Sequence, residues 1–160
     1  MSDLFNDNKT KYVIDTSTFI QIFKMYPRDI FRNLWLKFEE YLATEIIISH
    51  EEVYNELSEK SDELSKWSKL RKSSFYRHDF EAETEFITQI GIKYPNFIIK
   101  PKKYYADPWI IAQAKVKKLK IITEERINGN NERIPKIAKE MFEVDCVSLI
   151  DLMRKEGWAF

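Results

Sequence analysis

Asp15 stands at the end of an apolar approach, Tyr12-Val13-Ile14, and is followed by the hydroxyl residues Thr16, Ser17 and Thr18. An apolar run ending this way reads as a buried strand whose last side chain emerges at the sheet's carboxyl edge, where open α/β sheets bind ligands. Helix capping explains the residue too, because Asp at an N-cap accepts an orphan backbone N–H. The stretch KIITEE, residues 120 to 125, has the same form: a strand over Lys120 to Thr123, then Glu124 and Glu125. In ISHEEVYNEL, residues 48 to 57, helical spacing places Glu52, Asn55, Glu56 and Glu59 on one face and turns Val53 and Leu57 to the core. Glu56, beside Leu57 and about two turns after a strand, is close enough to reach the same edge; a solvated face is the plainer alternative. Asp107-Pro108 in YYADPWIIAQAK predicts a helix start, with Asp at the N-cap, Pro in the first turn, and a buried stripe of Trp109, Ala112, Val116 and Leu119.

If these strand and helix ends share one edge of a parallel sheet, their carboxylates converge from distant points in the chain. Converging carboxylates repel at neutral pH unless a divalent cation offsets their charge. Oxygen-only donors select Mg²⁺ or Mn²⁺ over zinc.

The elements needed to position them are legible as strands alternating with helices. YVID is a strand, followed by a helix through Phe19, Ile22 and Phe23, a break at Tyr26-Pro27, and a helix from about Asp29 carrying Leu34, Phe38 and Leu42. Residues 45 to 49, EIIIS, form a second strand; helices follow through Val53, Leu57, Leu64 and Trp67, and again over 81 to 92. Residues 94 to 105, with two prolines, read as an extended connection. After KIIT comes a turn-rich loop, Asn128 to Asn131 around Gly129, which could border the site or be a plain surface turn. IPKIAKEMF is a helix, VDCVS a last strand and LIDLMRK a last helix. Alternation of this kind implies a mostly parallel sheet between helical layers.

Composition bounds the rest. A chain of 160 residues with 44% hydrophobic content can bury one sizeable core, which predicts a single domain. Lys+Arg and Asp+Glu are equal at 26, so only the distribution of charge bears on partners. Lysines cluster around Asp107, whereas the stretch from Glu39 to Glu63 is acidic with Lys60 its one lysine. One cysteine, Cys146, excludes an internal disulfide and reads as core. Only two histidines are present, His50 and His78, with no zinc spacing and no evident partner for nucleophilic catalysis. The three glycines match no phosphate-cradling loop. A polar N-terminus and the lack of a long apolar run predict a cytoplasmic protein away from membranes.

The order D-T-S-T-F-I, E-V-Y-N-E-L, A-D-P-W-I-I-A, I-I-T-E-E resembles the PIN-domain nucleases, above all the bacterial PIN-like branch related to VapC toxins, from about Lys11 to Trp158. The resemblance implies an α/β fold, a three-layer α/β/α sandwich around a mostly parallel sheet of four to five short strands, with residues 1 to 160 as one domain and a helical insertion around 58 to 101. It also implies that Asp15, Glu56, Asp107 and Glu125 are the catalytic acids and metal ligands for Mg²⁺ or Mn²⁺. Thr16 and Ser17 would orient Asp15, Thr123 would support the site, and Glu124 competes with Glu125 for the fourth position. Ser17 stands where many relatives carry Asn.

The activity so implied is endonucleolytic hydrolysis of RNA, in a toxin held by a cognate antitoxin and able to form a homodimer. Bottom-up, the chemistry is coherent, because a divalent ion held by Asp15 and Asp107 acidifies water and offsets leaving-group charge. Lys102, Lys103, Lys115 and Lys118 are the expected phosphate contacts, with Tyr104, Tyr105 and Trp109 available to stack bases. Two rivals remain at this point: an inactive PIN-like binding or regulatory module, and a haloacid-dehalogenase-like phosphatase using Asp15, Thr123 and Lys136. The phosphatase needs a second Asp two residues after the first, where Ser17 stands.

Overall fold

The computed structural model describes residues 9–126 and 131–160, so the Asn128–Asn130 part of the turn-rich loop lies outside the described residues. Five strands, β1 (Tyr12–Ile14), β2 (Ile47–His50), β3 (Tyr76–Arg77), β4 (Lys120–Ile122) and β5 (Cys146–Val147), form one sheet in the order β3-β2-β1-β4-β5. Every pairing is parallel. Parallel neighbours need long crossovers, and helices supply them: α1 (Thr16–Met25) and α2 (Arg32–Ala43) before β2, α3 (Glu51–Ser58) and α4 (Glu63–Lys69) before β3. Next come α5 (Phe80–Lys93), α6 (Pro95–Ile98) and α7 (Asp107–Lys117) before β4, then α8 (Ile134–Phe142) before β5 and α9 (Leu149–Lys155) at the end.

The chain steps one way across the sheet from β1 to β3 and the other way from β4 to β5. Right-handed crossovers then put α1 to α4 on one face and α5, α7 and α8 on the other, giving the α/β/α sandwich. Both faces being covered, the inner strands carry long apolar side chains to both layers: Val13, Ile14, Ile47, Ile48, Ile121 and Ile122 are buried. An aromatic cluster of Phe19, Phe38, Trp67 and Phe75 fills the α1–α4 face.

Several elements differ from expectation. β3 is new; at two residues it is too short for alternation to register, and it exists because Ser49 and His50 of β2 pair with Tyr76 and Arg77. Residues 58 to 101, expected as a helical insertion, therefore also supply a strand of the sheet, and their α5 packs against α7. The connection from 94 to 105 is not wholly extended, since Pro95 starts the single turn of α6. The first helix after Pro27 begins at Arg32 rather than Asp29. Along α7 the buried residues are Pro108 and Ile110 to Ala114, whereas Trp109 and Val116 are half-buried. That helix touches β1, β2 and β4 as well as α5 and α8, so it is covered nearly all round. Cys146 does lie in a strand, but β5 is at the sheet's edge and the residue is only half-buried. Among the described residues, no helix is long and apolar enough to cross a membrane.

Candidate active site

Register brings the strand ends level: Ile14 sits opposite Ser49 on one side and Ile122 on the other. One residue further along each strand lie Asp15, His50 and Thr123, at the carboxyl edge, and β1 and β4 flank the point where the chain order reverses. Crevices at such a point are the usual ligand sites of open parallel sheets.

Asp15 is the N-cap of α1, its Oδ1 accepting from Thr18 N at 3.0 Å. Capping and a site role thus coexist in one side chain. Ser17 Oγ donates at 2.8 Å to Oδ1 and lies 2.9 Å from Oδ2, and Thr123 Oγ1 donates to Oδ2 at 2.6 Å. The Thr18 hydroxyl has a choice, lying 3.0 Å from Oδ1 and 3.2 Å from the Ile122 carbonyl. With that hydroxyl turned to Ile122, three donors meet a carboxylate with about four lone-pair sites, leaving room for a cation. Burial pushes the Asp15 carboxyl up to about 6 despite these bonds. The sequence expected Thr16 in this role; instead Thr18 orients Asp15, and the buried Thr16 hydroxyl makes no full hydrogen bond.

Thr16 lies near Glu56, the half-buried acid of α3. Glu56 Oε1 accepts from the backbone N–H of Ala106. Burial raises its carboxyl above the ordinary range, against that N–H, Thr16 and Lys102, which favour the charged form. Ala106 is also the N-cap of α7, so Asp107 is the first helical residue and not the cap that the Asp-Pro pair suggested. No side-chain capping bond engages Asp107. Burial first, then the negative charges of Glu125, Asp15 and Glu56, push its carboxyl up to about 8. Those same causes place the four acids in one electrostatic cluster. Tyr105 belongs to it as well, its hydroxyl held protonated by burial and by Asp107 and Glu125.

The two glutamates after β4 separate. Glu124 Oε1 accepts from Leu149 N at 3.0 Å, at the first turn of α9, while its own N–H donates to Ser17 Oγ at 3.2 Å. Glu125 Oε2 accepts from Ile134 N at 3.1 Å, at the start of α8, and its charge bears on Asp107. Glu125 is the fourth member of the cluster, and Glu124 is a helix anchor.

A groove of ≈ 1000 Å³ opens beside Thr16 and Glu56 and runs past Lys24, Lys60, Lys102, Lys103 and Tyr104. Lys102 and Lys103 thus line the groove beside Glu56. Lys115 and Lys118 do not: they sit about 12 and 16 Å further along the axis of α7, at its far end, where Lys115 lies over the Phe142 ring and Lys118 is the C-cap. Lys24 and Lys60 approach the groove only through the fold, which sequence spacing around Asp107 does not reveal.

A family described as Domain of unknown function (DUF4411) matches residues 12–160. The chain belongs to it. No curated protein and no solved structure matches. In this DUF4411 chain both histidines, for which the sequence shows no zinc spacing and no partner for nucleophilic catalysis, share one buried carboxylate. His50 Nε2 lies 2.6 Å from Glu83 Oε1, and His78 Nδ1 lies 3.0 Å from the same oxygen. Three donor atoms from His50, His78 and Glu83 lie within 4.8 Å of one another, as in a metal site. The tautomer argues otherwise. A metal-bound imidazole gives its other N–H to an acceptor, yet His50 Nδ1 accepts from Glu52 N at 2.9 Å. Nδ1 therefore carries no proton, Nε2 does, and that proton points at Glu83. Glu83 Oε2 accepts from Asp79 N at 3.0 Å, completing a satisfied, fully buried carboxylate held below its ordinary range, burial being outweighed by these donors. The only signal in the sequence was the position of His50 after EIIIS; His78 and Glu83 needed β3 to bring them in.

Proposed function

We propose that this chain is a metal-dependent endoribonuclease of PIN type, acting in the cytoplasm as the toxin of a toxin–antitoxin pair. The observation that carries the nuclease reading is Asp15, a buried carboxylate held by Ser17, Thr18 and Thr123 at the carboxyl edge of the sheet, with the Asp107 carboxyl pushed up by burial and by the charges of Glu125, Asp15 and Glu56. An arrangement that strains its own charge in this way is suited to a divalent cation, and its oxygen-only donors fit Mg²⁺ or Mn²⁺. Asp15 and Asp107 would hold the ion, with Glu56 and Glu125 completing the set. When bound, such an ion neutralises the carboxylates, acidifies water and offsets charge on the leaving oxygen.

The chain's own residues prepare that site. Ser17, Thr18 and Thr123 fix the Asp15 carboxylate, and the Ala106 N–H fixes Glu56. The adjoining groove is lined by Lys24, Lys60, Lys102 and Lys103 together with Glu59, Asp62 and Glu63; the lysines are its phosphate contacts in this reading, with Tyr104 available to stack a base. A phosphatase of the haloacid-dehalogenase kind would need a second carboxylate two residues after Asp15, where Ser17 instead donates a hydrogen bond to Asp15. The toxin role, the antitoxin and a homodimer rest on the resemblance to VapC-related proteins.

The test is incubation of the purified chain and Asp15→Asn with a mixed RNA pool in Mg²⁺, Mn²⁺ or EDTA. Cleavage requiring both the metal and Asp15 is the expected result. Absence of cleavage together with absence of Mn²⁺ binding would leave a PIN-like binding module instead.

A further inference from the structure

The proposed nuclease reading leaves open what holds Glu56 and Asp107, which stand on different helices, in one place. We propose that His50 is the positioning residue at that junction, capping the helix that carries Glu56 in a tautomer enforced by Glu83. His50 ends β2 and is the N-cap of α3; its Nδ1 accepts from Glu52 N at 2.9 Å. Only an unprotonated Nδ1 can take that bond, and the buried Glu83 carboxylate, 2.6 Å from Nε2, draws the proton to the other nitrogen. A turn after Glu52, α3 presents Glu56 to the N–H of Ala106, immediately before Asp107. The other acid's helix is braced by the same ring, because Trp109, in the first turn of α7, lies 5.6 Å from His50 and 5.2 Å from His78 between ring centroids. One histidine therefore touches the starts of both helices. Full burial of His50 and Glu83 leaves no solvent to substitute for either bond.

Two substitutions separate the halves of this arrangement. His50→Asn places an oxygen near the position of Nδ1 and keeps the cap, losing the bond to Glu83. His50→Gln places an amide nitrogen near the position of Nε2 and keeps the bond to Glu83, losing the cap. Amide NMR of the full chain reads the Glu56 bond directly through the shift and hydrogen exchange of Ala106 N–H, and ¹⁵N spectra of the imidazoles read the tautomer. We expect His50→Gln to speed exchange at Ala106 and to lower kcat about tenfold with KM unchanged, and His50→Asn to stay within about threefold of wild type. Wild-type His50 should show its proton on Nε2. Wild-type exchange at Ala106 in His50→Gln, equal losses in the two variants, or a proton on Nδ1 would each overturn the proposal. If the wild-type chain neither cleaves RNA nor binds Mn²⁺, the nuclease reading fails while the Ala106 comparison still decides whether His50 positions Glu56.

Discussion

Thr123 Oγ1 donates a 2.6 Å hydrogen bond to Oδ2 of Asp15, tying the end of β4 to the end of β1 across the point where the sheet's chain order reverses. Both residues are buried, so no water replaces the bond when it is lost. Thr123→Val keeps the shape and removes the donor, leaving a buried carboxylate oxygen short of a partner at a cost of about 1–3 kcal/mol. We expect Mn²⁺ affinity and RNA cleavage to fall about 10- to 100-fold, the usual effect of losing a bond that orients a ligand, and Thr123→Ser to recover most of both. An isotherm for Thr123→Val matching wild type would show that Asp15 needs no such support.

The crowding of Asp107 makes stability depend on pH in a definite direction. Unfolded, its carboxyl titrates near 3.8, and in the fold it is pushed up to about 8; Asp15 moves from 3.8 to about 6. The folded chain binds these protons more tightly, so their stabilising effect is present below about pH 4 and is lost as pH rises through about 6 and then about 8. In EDTA the melting temperature attributable to these groups should fall from pH 5 to pH 8. Asp107→Asn should abolish cleavage yet raise Tm at pH 8 by about 3 °C or more, a shift worth roughly 1 kcal/mol in a chain of this size. Mn²⁺ should restore the wild-type Tm at pH 8 and leave that of Asp107→Asn unmoved. Thermal melts at three pH values decide it; an Asp107→Asn chain less stable than wild type at pH 8 in EDTA would mean that the acids are not crowded.

Much of this arrangement was legible before folding. Asp15, Glu56 and Asp107 each follow or start an element whose apolar pattern is strong, so their common edge follows from a parallel sheet. What escaped depends on pairing or on helix phase. β3 owes its existence to β2 rather than to its own residues, and with it came His78, close to a Glu83 that reads as an ordinary residue of a helix's first turn. Thr18 takes the place expected of Thr16 because an N-cap side chain accepts from the backbone N–H three residues on, not one. Glu124 and Glu125 are adjacent, and only the starts of α8 and α9 decide which carboxylate turns to Asp107.

That division of labour between the two glutamates is testable. Glu124 holds Leu149 N, so Glu124→Gln, which keeps an acceptor, should cost under about 1 kcal/mol and leave cleavage within a few-fold of wild type. Glu125→Gln removes a charge from the acid cluster and should reduce cleavage by about tenfold or more. It should also lower the apparent pKa of Asp107, since the Glu125 charge is second only to burial in raising it. Rates for both variants across pH 6 to 9 would separate the roles, and a larger loss in Glu124→Gln would reverse the assignment.

The lysines offer the sharpest contrast between sequence proximity and spatial position. Lys102 and Lys103 line the groove beside Glu56, while Lys115 and Lys118 lie at the other end of α7. A phosphate contact contributes to affinity through counterion release, so removing it weakens binding and flattens the salt dependence by roughly 0.7 per contact on a single strand. The double variant Lys102→Ala/Lys103→Ala, made in an Asp15→Asn background so that the RNA stays intact, should bind single-stranded RNA about tenfold more weakly at low salt, with the slope of log K against log salt reduced by about 1.4. Lys115→Ala/Lys118→Ala should match the parent in both respects. Fluorescence anisotropy across a salt series measures both quantities. Equal losses in the two doubles would mean that RNA runs along the whole of α7, and a loss confined to the distal pair would move the substrate path away from the groove.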